Sequence, residues 1–172
     1  MKSHAFSPLK TAALGLLGLS AGLGCLKAGS VIAQAWPNWS GTPLYGEISL
    51  WSGFEPDPYT VDIVAGGSSS VSSMGLGSGC TGFITAEQPD FRVHYEAGQY
   101  PLSFLVESSA DTTLVINGPG AGWYCNDDFD GANPMVMFSA PASGQYDIWV
   151  GVYGSSSTHG ATLYVTEYDL TR

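Results

Sequence analysis

The stretch Cys125-Asn126-Asp127-Asp128-Phe129-Asp130-Gly131 gathers three carboxylates and an amide into a glycine-ended segment beside a cysteine. Side-chain oxygens at that density predict a calcium loop. Asn126, Asp128, Asp130 and Gly131 fall at positions 1, 3, 5 and 6 of the D-x-[DN]-x-[DN]-G pattern, whose alternate side chains converge on one ion. Position 12, which an EF-hand fills with a bidentate Glu, is Met137, so the loop is expected to be of another calcium-binding type. A solvated acidic hairpin loop is the competing reading, because like charges this close repel unless ions or water screen them. Asp57, in Phe54-Glu55-Pro56-Asp57-Pro58, and Asp111, ahead of Thr112-Thr113-Leu114, are the next best oxygen ligands, although carboxylates at strand starts also cap turns. The expected calcium set is Asn126, Asp127, Asp128, Asp130, Asp111 and Asp57.

Other chemistries find fewer residues. Nucleophilic hydrolysis needs a serine activated by a histidine that a carboxylate orients. Beyond the amino-terminal segment the histidines are His94, on the polar face of an alternating run, and His159, in the 155–160 loop, and neither has a serine motif to serve. No H-x-x-x-H or paired-cysteine spacing suggests zinc, and Gly75-Leu76-Gly77-Ser78-Gly79 lacks the lysine and following helix of a phosphate cradle. Any two carboxylates could face each other for glycoside hydrolysis, but nothing singles out a pair. Trp36, Trp39, Trp51, Trp123, Trp149 and Tyr153 could form a carbohydrate- or protein-binding surface, or cover the ends of a core.

The elements that position these residues come after a secretory leader. Lys2 and Lys10, the apolar run 11–26 and Ala33-Gln34-Ala35 predict a signal peptide over 1–35 and one domain over 36–172. Cleavage removes all three lysines and leaves Arg92 and Arg172 against fifteen Asp and Glu, a net charge of −13. Such a field excludes nucleic acid and anionic membranes as partners and favours cations. Only Cys80 and Cys125 remain, and in an oxidising compartment the pair predicts a disulfide.

Period-two alternation dominates residues 59–165. Tyr59, Val61 and Ile63 form one apolar face, as do Phe91, Val93 and Tyr95, and Leu102, Phe104 and Val106. Leu114 and Ile116, Met135 and Met137, the run Tyr146, Ile148, Val150 and Val152, and Ala161, Leu163 and Val165 continue it. About eight short strands predict an all-β antiparallel sandwich or jelly roll. An internal duplication is also expected: Cys80 to Pro89 matches Cys125 to Pro134, Gly98-Gln99-Tyr100 matches Gly144-Gln145-Tyr146, and Thr113-Leu114 matches Thr162-Leu163. The first copy carries no carboxylate where the second reads Asn126-Asp127-Asp128, so the acidic set looks added to a shared scaffold.

Three segments, Ala110 to Ile116, Trp123 to Asp128 and Ser143 to Gly151, resemble the bacterial pre-peptidase C-terminal domain, a small β-sandwich attached to secreted peptidases. Similar stand-alone secreted proteins share the Gly53-Phe54-Glu55-Pro56-Asp57-Pro58 opening and carry a trypsin-like peptidase label. The resemblance covers nearly all of residues 36–172. It implies a calcium role for Asp127 and Asp128, less surely Asp111 and Asp57, while no catalytic triad here supports the peptidase label. The expected function is a secreted, non-catalytic, calcium-binding module for an extracellular protein or polysaccharide, located in the periplasm or outside the cell. A self-associating subunit of a surface layer or filament is the alternative, and a hydrolase is the weakest reading.

Overall fold

The structure, a computed structural model, describes residues 37–169. The expected signal peptide, Trp36 and Arg172 lie outside the described residues. No helix among the described residues is long and apolar enough to cross a membrane.

Eleven strands, numbered in chain order, form two sheets. β1 (Glu47–Trp51), β5 (Phe91–Glu96), β10 (Gly144–Val152), β7 (Thr112–Asn117) and β8 (Trp123–Asn126) make most of the first, with the short β3 (Ser69–Ser70) and β4 (Phe83–Ile84) joining beside the end of β10. The second runs β2 (Tyr59–Ala65), β11 (His159–Thr166), β6 (Leu102–Ser108), β9 (Met135–Phe138). The all-β sandwich is the expected fold. One pairing departs from it: β1 lies parallel to β5, with Glu47 opposite Arg92 and Trp51 opposite Glu96. No hairpin joins them, because the chain visits the second sheet and the β3–β4 excursion in between, and only hairpins force antiparallel pairing.

Inward residues of both sheets, among them Phe91, Val93, Tyr95, Phe104, Ile116, Tyr146, Ile148, Leu163 and Val165, form the main core. The alternation of β9 is shifted by one from expectation. Val136 and Phe138 face this core rather than Met135 and Met137, and Phe138 packs at 5.2 Å from the ring of Tyr146 and 6.2 Å from that of Phe104. A large aromatic buries more area than the thioether beside it, which decides the register.

A second, smaller core sits on the outer face of the first sheet. Residues 71–86 fold over Val115 and Trp149, so that Val71, Met74, Cys80, Ile84 and Ala86 cover them. Trp149 is fully buried there, with its ring 5.6 Å from that of Trp123. The Cys80–Cys125 disulfide ties this cover to β8, as the cysteine count predicts.

The strand pairings repeat with the sheets exchanged. β10 is flanked by β5 and β7, and β6 by β9 and β11. With Pro89 matched to Pro134 and Thr113 to Thr162, both registers equate Tyr146 with Leu102 and Ile148 with Phe104. The disulfide then joins matched cysteines. The Gly-Gln-Tyr triplets are two residues out of step: Tyr100 lies in an exposed loop and Tyr146 in the core.

Candidate ligand groove

The six residues expected to hold calcium do not come together. Asn126 ends β8 rather than opening a loop. Its Oδ1 accepts the Met135 N–H at 3.0 Å and its Nδ2 donates to the Asp128 carbonyl at 3.3 Å, so the amide braces both sides of the turn. The Phe129 and Asp130 N–H groups both donate to the Asn133 carbonyl at 3.1 Å, closing the turn at Gly131. Asp111, just before β7, is carried beside Asp127 and Asp128 by the pairing of Leu114 with Asn126. Desolvation, then the charges of Asp128 and Asp127, raise its carboxyl above the usual range. Among the described residues no group of three or more His, Cys, Asp or Glu side chains is placed to hold a metal ion.

Asp57 lies at the opposite end of the sandwich, beside the start of β2. Its Oδ2 accepts the Glu167 N–H at 3.1 Å. Glu167, 8% exposed, accepts the Gly53 N–H at 2.6 Å and the Tyr95 hydroxyl at 2.5 Å. Burial, then the bond to Glu167, push Tyr95 up to about 12. Gly53, Asp57 and Glu167 border a cleft of about 420 Å³ with Phe54, Tyr100 and Tyr168. Both Glu167 oxygens and one of Asp57 are spent on tying the β1–β2 loop to β5 and the segment after β11, and the other Asp57 oxygen is buried. The pair acts as a brace, with Asp57 Oδ1 the one oxygen left without a partner among the described residues.

Neither histidine forms a serine–histidine–carboxylate set among the described residues. His159, at the exposed start of β11 rather than in the loop expected, has its Nε2 3.1 Å from Ser157 Oγ, and Ser157 Oγ stands 2.6 Å from Ser155 Oγ in the exposed loop before it. Among the described residues no carboxylate bonds His159, so the dyad lacks an orienting acid. His94 Nε2 lies 3.5 Å from Glu47 Oε2 on the outer face of the first sheet.

That face carries the best-built site. The 71–86 cover hides one half of it. The other half is a chain of three adjoining hollows. The first, about 380 Å³, lies between Trp39, the Gly118–Ala121 turn, Asn117 and Gln145. The second, about 340 Å³, shares Gly144 and Gln145 with the first and continues past His94 and Ser49 to Trp51. The third, also about 340 Å³, passes Trp51 and Glu96 to reach Gly98. Outward residues of successive strands thus line one groove, with exposed indoles at one end, Trp39 at 51%, and at the junction of the second and third hollows, Trp51 at 61%. Period-two geometry puts them there, because Ser49, Trp51, His94 and Gln145 each alternate with a core-facing neighbour.

Arg92 organises this groove. It is the only Lys or Arg among the described residues. Its Nε donates to Asp147 Oδ1 at 2.6 Å, its Nη1 to Glu47 Oε2 at 3.4 Å, and its Nη2 to the carbonyls of Trp39 and Gly41 at 2.7 and 2.9 Å. One guanidinium therefore pins the Trp39 loop to β5 and β10, with donors in a fixed fork. Asp147, 1% exposed, turns its Oδ2 to Gln145 Nε2 at 2.7 Å and so fixes the amide over the groove floor. Asn117, 6% exposed, donates through Nδ2 to the Gly122 carbonyl at 3.3 Å, and its Oδ1 has no partner among the described residues. At Gly144, with φ 144°, an added Cβ would meet Pro119 at 3.0 Å, so glycine lets the turn close over the floor.

Sequence reasoning named Trp39 and Trp51 as surface aromatics but missed Asn117, Gln145 and the bridging role of Arg92. The signal available was Gln145 on the polar side of an otherwise apolar strand, which was absorbed into the repeat. Of the other aromatics, Tyr153 is 48% exposed, while Trp123 and Trp149 belong to the second core.

No family model matches the chain, and no curated protein matches it. Among solved structures, a periplasmic inhibitor of g-type lysozyme from Aeromonas hydrophila is 18% identical, with a TM-score of 0.34, over 70% of this chain and 96% of that one. The corresponding Escherichia coli inhibitor, as a mutant, is 12% identical with a TM-score of 0.36, over 70% and 97%. A mitogen from Yersinia pseudotuberculosis is 22% identical with a TM-score of 0.36, over 68% and 91%. TM-scores this low carry no argument about function, so the reading of this chain rests on its own groove.

Proposed function

We propose that the protein is a secreted, non-catalytic β-sandwich module that binds an extracellular polymer along the outer face of its first sheet. The observation that carries this reading is the chain of three hollows, two between Trp39 and Trp51 and a third beyond Trp51, walled by indoles and carrying the polar side chains of Asn117, Gln145, Ser49 and His94. Exposed tryptophans beside oriented amides suit a partner with one apolar and one hydrogen-bonding aspect. The carboxylates and histidines with hydrolytic potential are bound up in braces or stand alone, which supports a module that binds without reacting. Co-sedimentation of the purified protein with insoluble extracellular matrix tests the proposal. The double substitution W39A/W51A, with an unchanged melting temperature, is expected to lose at least nine-tenths of the bound fraction; equal binding would sink the reading.

For calcium the proposal narrows to the turn after β8, where Asp127 or Asp128 would supply a carboxylate, since Asp111, Asp127 and Asp128 are not placed as a three-carboxylate ligand set. Desolvation, with the charges of Asp128 and Asp127 added to it, lifts Asp111, and a cation held at the turn by backbone carbonyls and water would relieve the repulsive part. Calcium would then raise the melting temperature by mass action. Identical melting curves in calcium and in EDTA would remove the ion from the account.

A further inference from the structure

We infer that the occupant of the groove is an uncharged linear polysaccharide, and that the Trp39 hollow seats one of its sugar rings. The inference rests on the proposed function and narrows it to one ligand class.

Charge comes first. The groove's charged groups are Glu47, Glu96, Asp147, Arg92 and His94. Arg92, the one fixed cation, is consumed by Asp147, Glu47 and two carbonyls. An anionic chain would therefore meet a groove with three carboxylates to one fixed, already paired cation, whereas a neutral chain is indifferent to that field.

Hydrogen bonding comes second. Asn117 Oδ1 is an acceptor on a nearly buried side chain lining the first hollow, with no partner among the described residues. The oxygen opens to the hollow rather than being sealed from solvent, and a sugar hydroxyl is a donor that would take the place of water there. Gln145 Oε1, beside it, also has no protein partner among the described residues, and the bond of Nε2 to Asp147 holds the amide in place. Both acceptors face a ring-sized hollow whose wall is the Trp39 indole, the flat apolar surface on which the C–H face of a sugar ring stacks.

Length comes third. From Trp51 on β1 to Asn117 on β7 is three inter-strand steps, about 14 Å across the sheet, and the register adds about four residues, about 13 Å, along the strands, so the two lie about 19 Å apart. That is roughly the length of a few sugar units in line, and it explains hollows in a row rather than one deep pocket. A protein partner would call for a continuous apolar centre; here the two indoles are separated by polar floor.

Affinity electrophoresis of the purified protein tests this, with gels containing mixed-linkage β-glucan, mannan, xylan or dextran, set against polygalacturonate, chitosan and poly-L-arginine. At least one neutral polysaccharide is expected to retard the protein. That retardation should fall at least tenfold in dissociation constant for W39A and for N117A, each folded as judged by an unchanged melting temperature, and polygalacturonate should not retard it. Retardation by none of the neutral chains, or only by polygalacturonate, chitosan or poly-L-arginine, overturns the inference. If such charged-probe binding is still lost in W39A, the groove reading survives its failure. Retardation that W39A and N117A leave intact overturns both.

Discussion

Replacing Asp90 by asparagine isolates one buried carboxyl. Asp90 is 1% exposed, at the point where β5 begins, and its Oδ2 accepts the Val150 N–H at 2.7 Å in place of a strand carbonyl. Burial pushes its carboxyl from 3.8 up to about 7, against the smaller downward pull of that hydrogen bond. The folded protein therefore holds a proton that the unfolded chain releases between about pH 4 and pH 7. Protons bound preferentially by the folded state stabilise it at low pH, and that stability is lost as pH rises through the folded value. At 1.36 kcal/mol per pK unit the full span is about 4 kcal/mol, of which about 3 kcal/mol falls between pH 5 and pH 8. Asparagine imitates the neutral acid: its Oδ1 still accepts from Val150, and its amide N–H groups take the place of the acid proton. Urea unfolding of wild type and D90N at pH 5 and pH 8 gives the difference directly, since other titrating groups act on both proteins alike. The stability of D90N relative to wild type is expected to rise by about 3 kcal/mol over that interval. A relative stability that stays constant within experimental error would show that Asp90 is ionised in the folded protein and would refute the reasoning.

Two further changes probe the scaffold. The disulfide closes a loop of 45 residues, and C80S/C125S is expected to lower stability by about 4 kcal/mol in the loop-entropy picture, read from the urea midpoint at constant slope. Y95F removes the donor that meets Glu167 Oε1 beneath the β1–β2 loop, and should cost about 1–3 kcal/mol, read from the urea midpoint.

The sandwich was legible because its longest strands obey strict alternation. Tyr146, Ile148, Val150 and Val152 face the core as their spacing predicts, and so do Ala161, Leu163 and Val165. What was not legible depends on contacts distant in sequence. The outward Trp149 is buried by a cover drawn from residues 71–86, which β10 itself cannot reveal. β9 is four residues long and apolar on both faces, so alternation could not choose between Met137 and Phe138, and ring packing did. The acidic stretch misled for a related reason. Asn126 fits a ligand pattern by spacing, yet its amide serves Met135 and Asp128, and Asp57 is spent on Glu167. The groove was hidden because its members come from β1, β5, β10 and β7 and the Trp39 loop. Arg92 brings them together, and only the paired sheet places it there.

The most direct test of the groove is residue-resolved. Amide and indole resonances of the purified protein would be followed by two-dimensional NMR while the neutral polysaccharide that retards it in gels is titrated in. Shifts concentrated at Trp39, Ser49, Trp51, His94, Asn117 and Gln145, with the Trp149 indole unmoved in its buried cover, are the predicted result. Shifts centred instead on residues 126–133, or on the Phe54, Tyr100 and Tyr168 cleft, would contradict it.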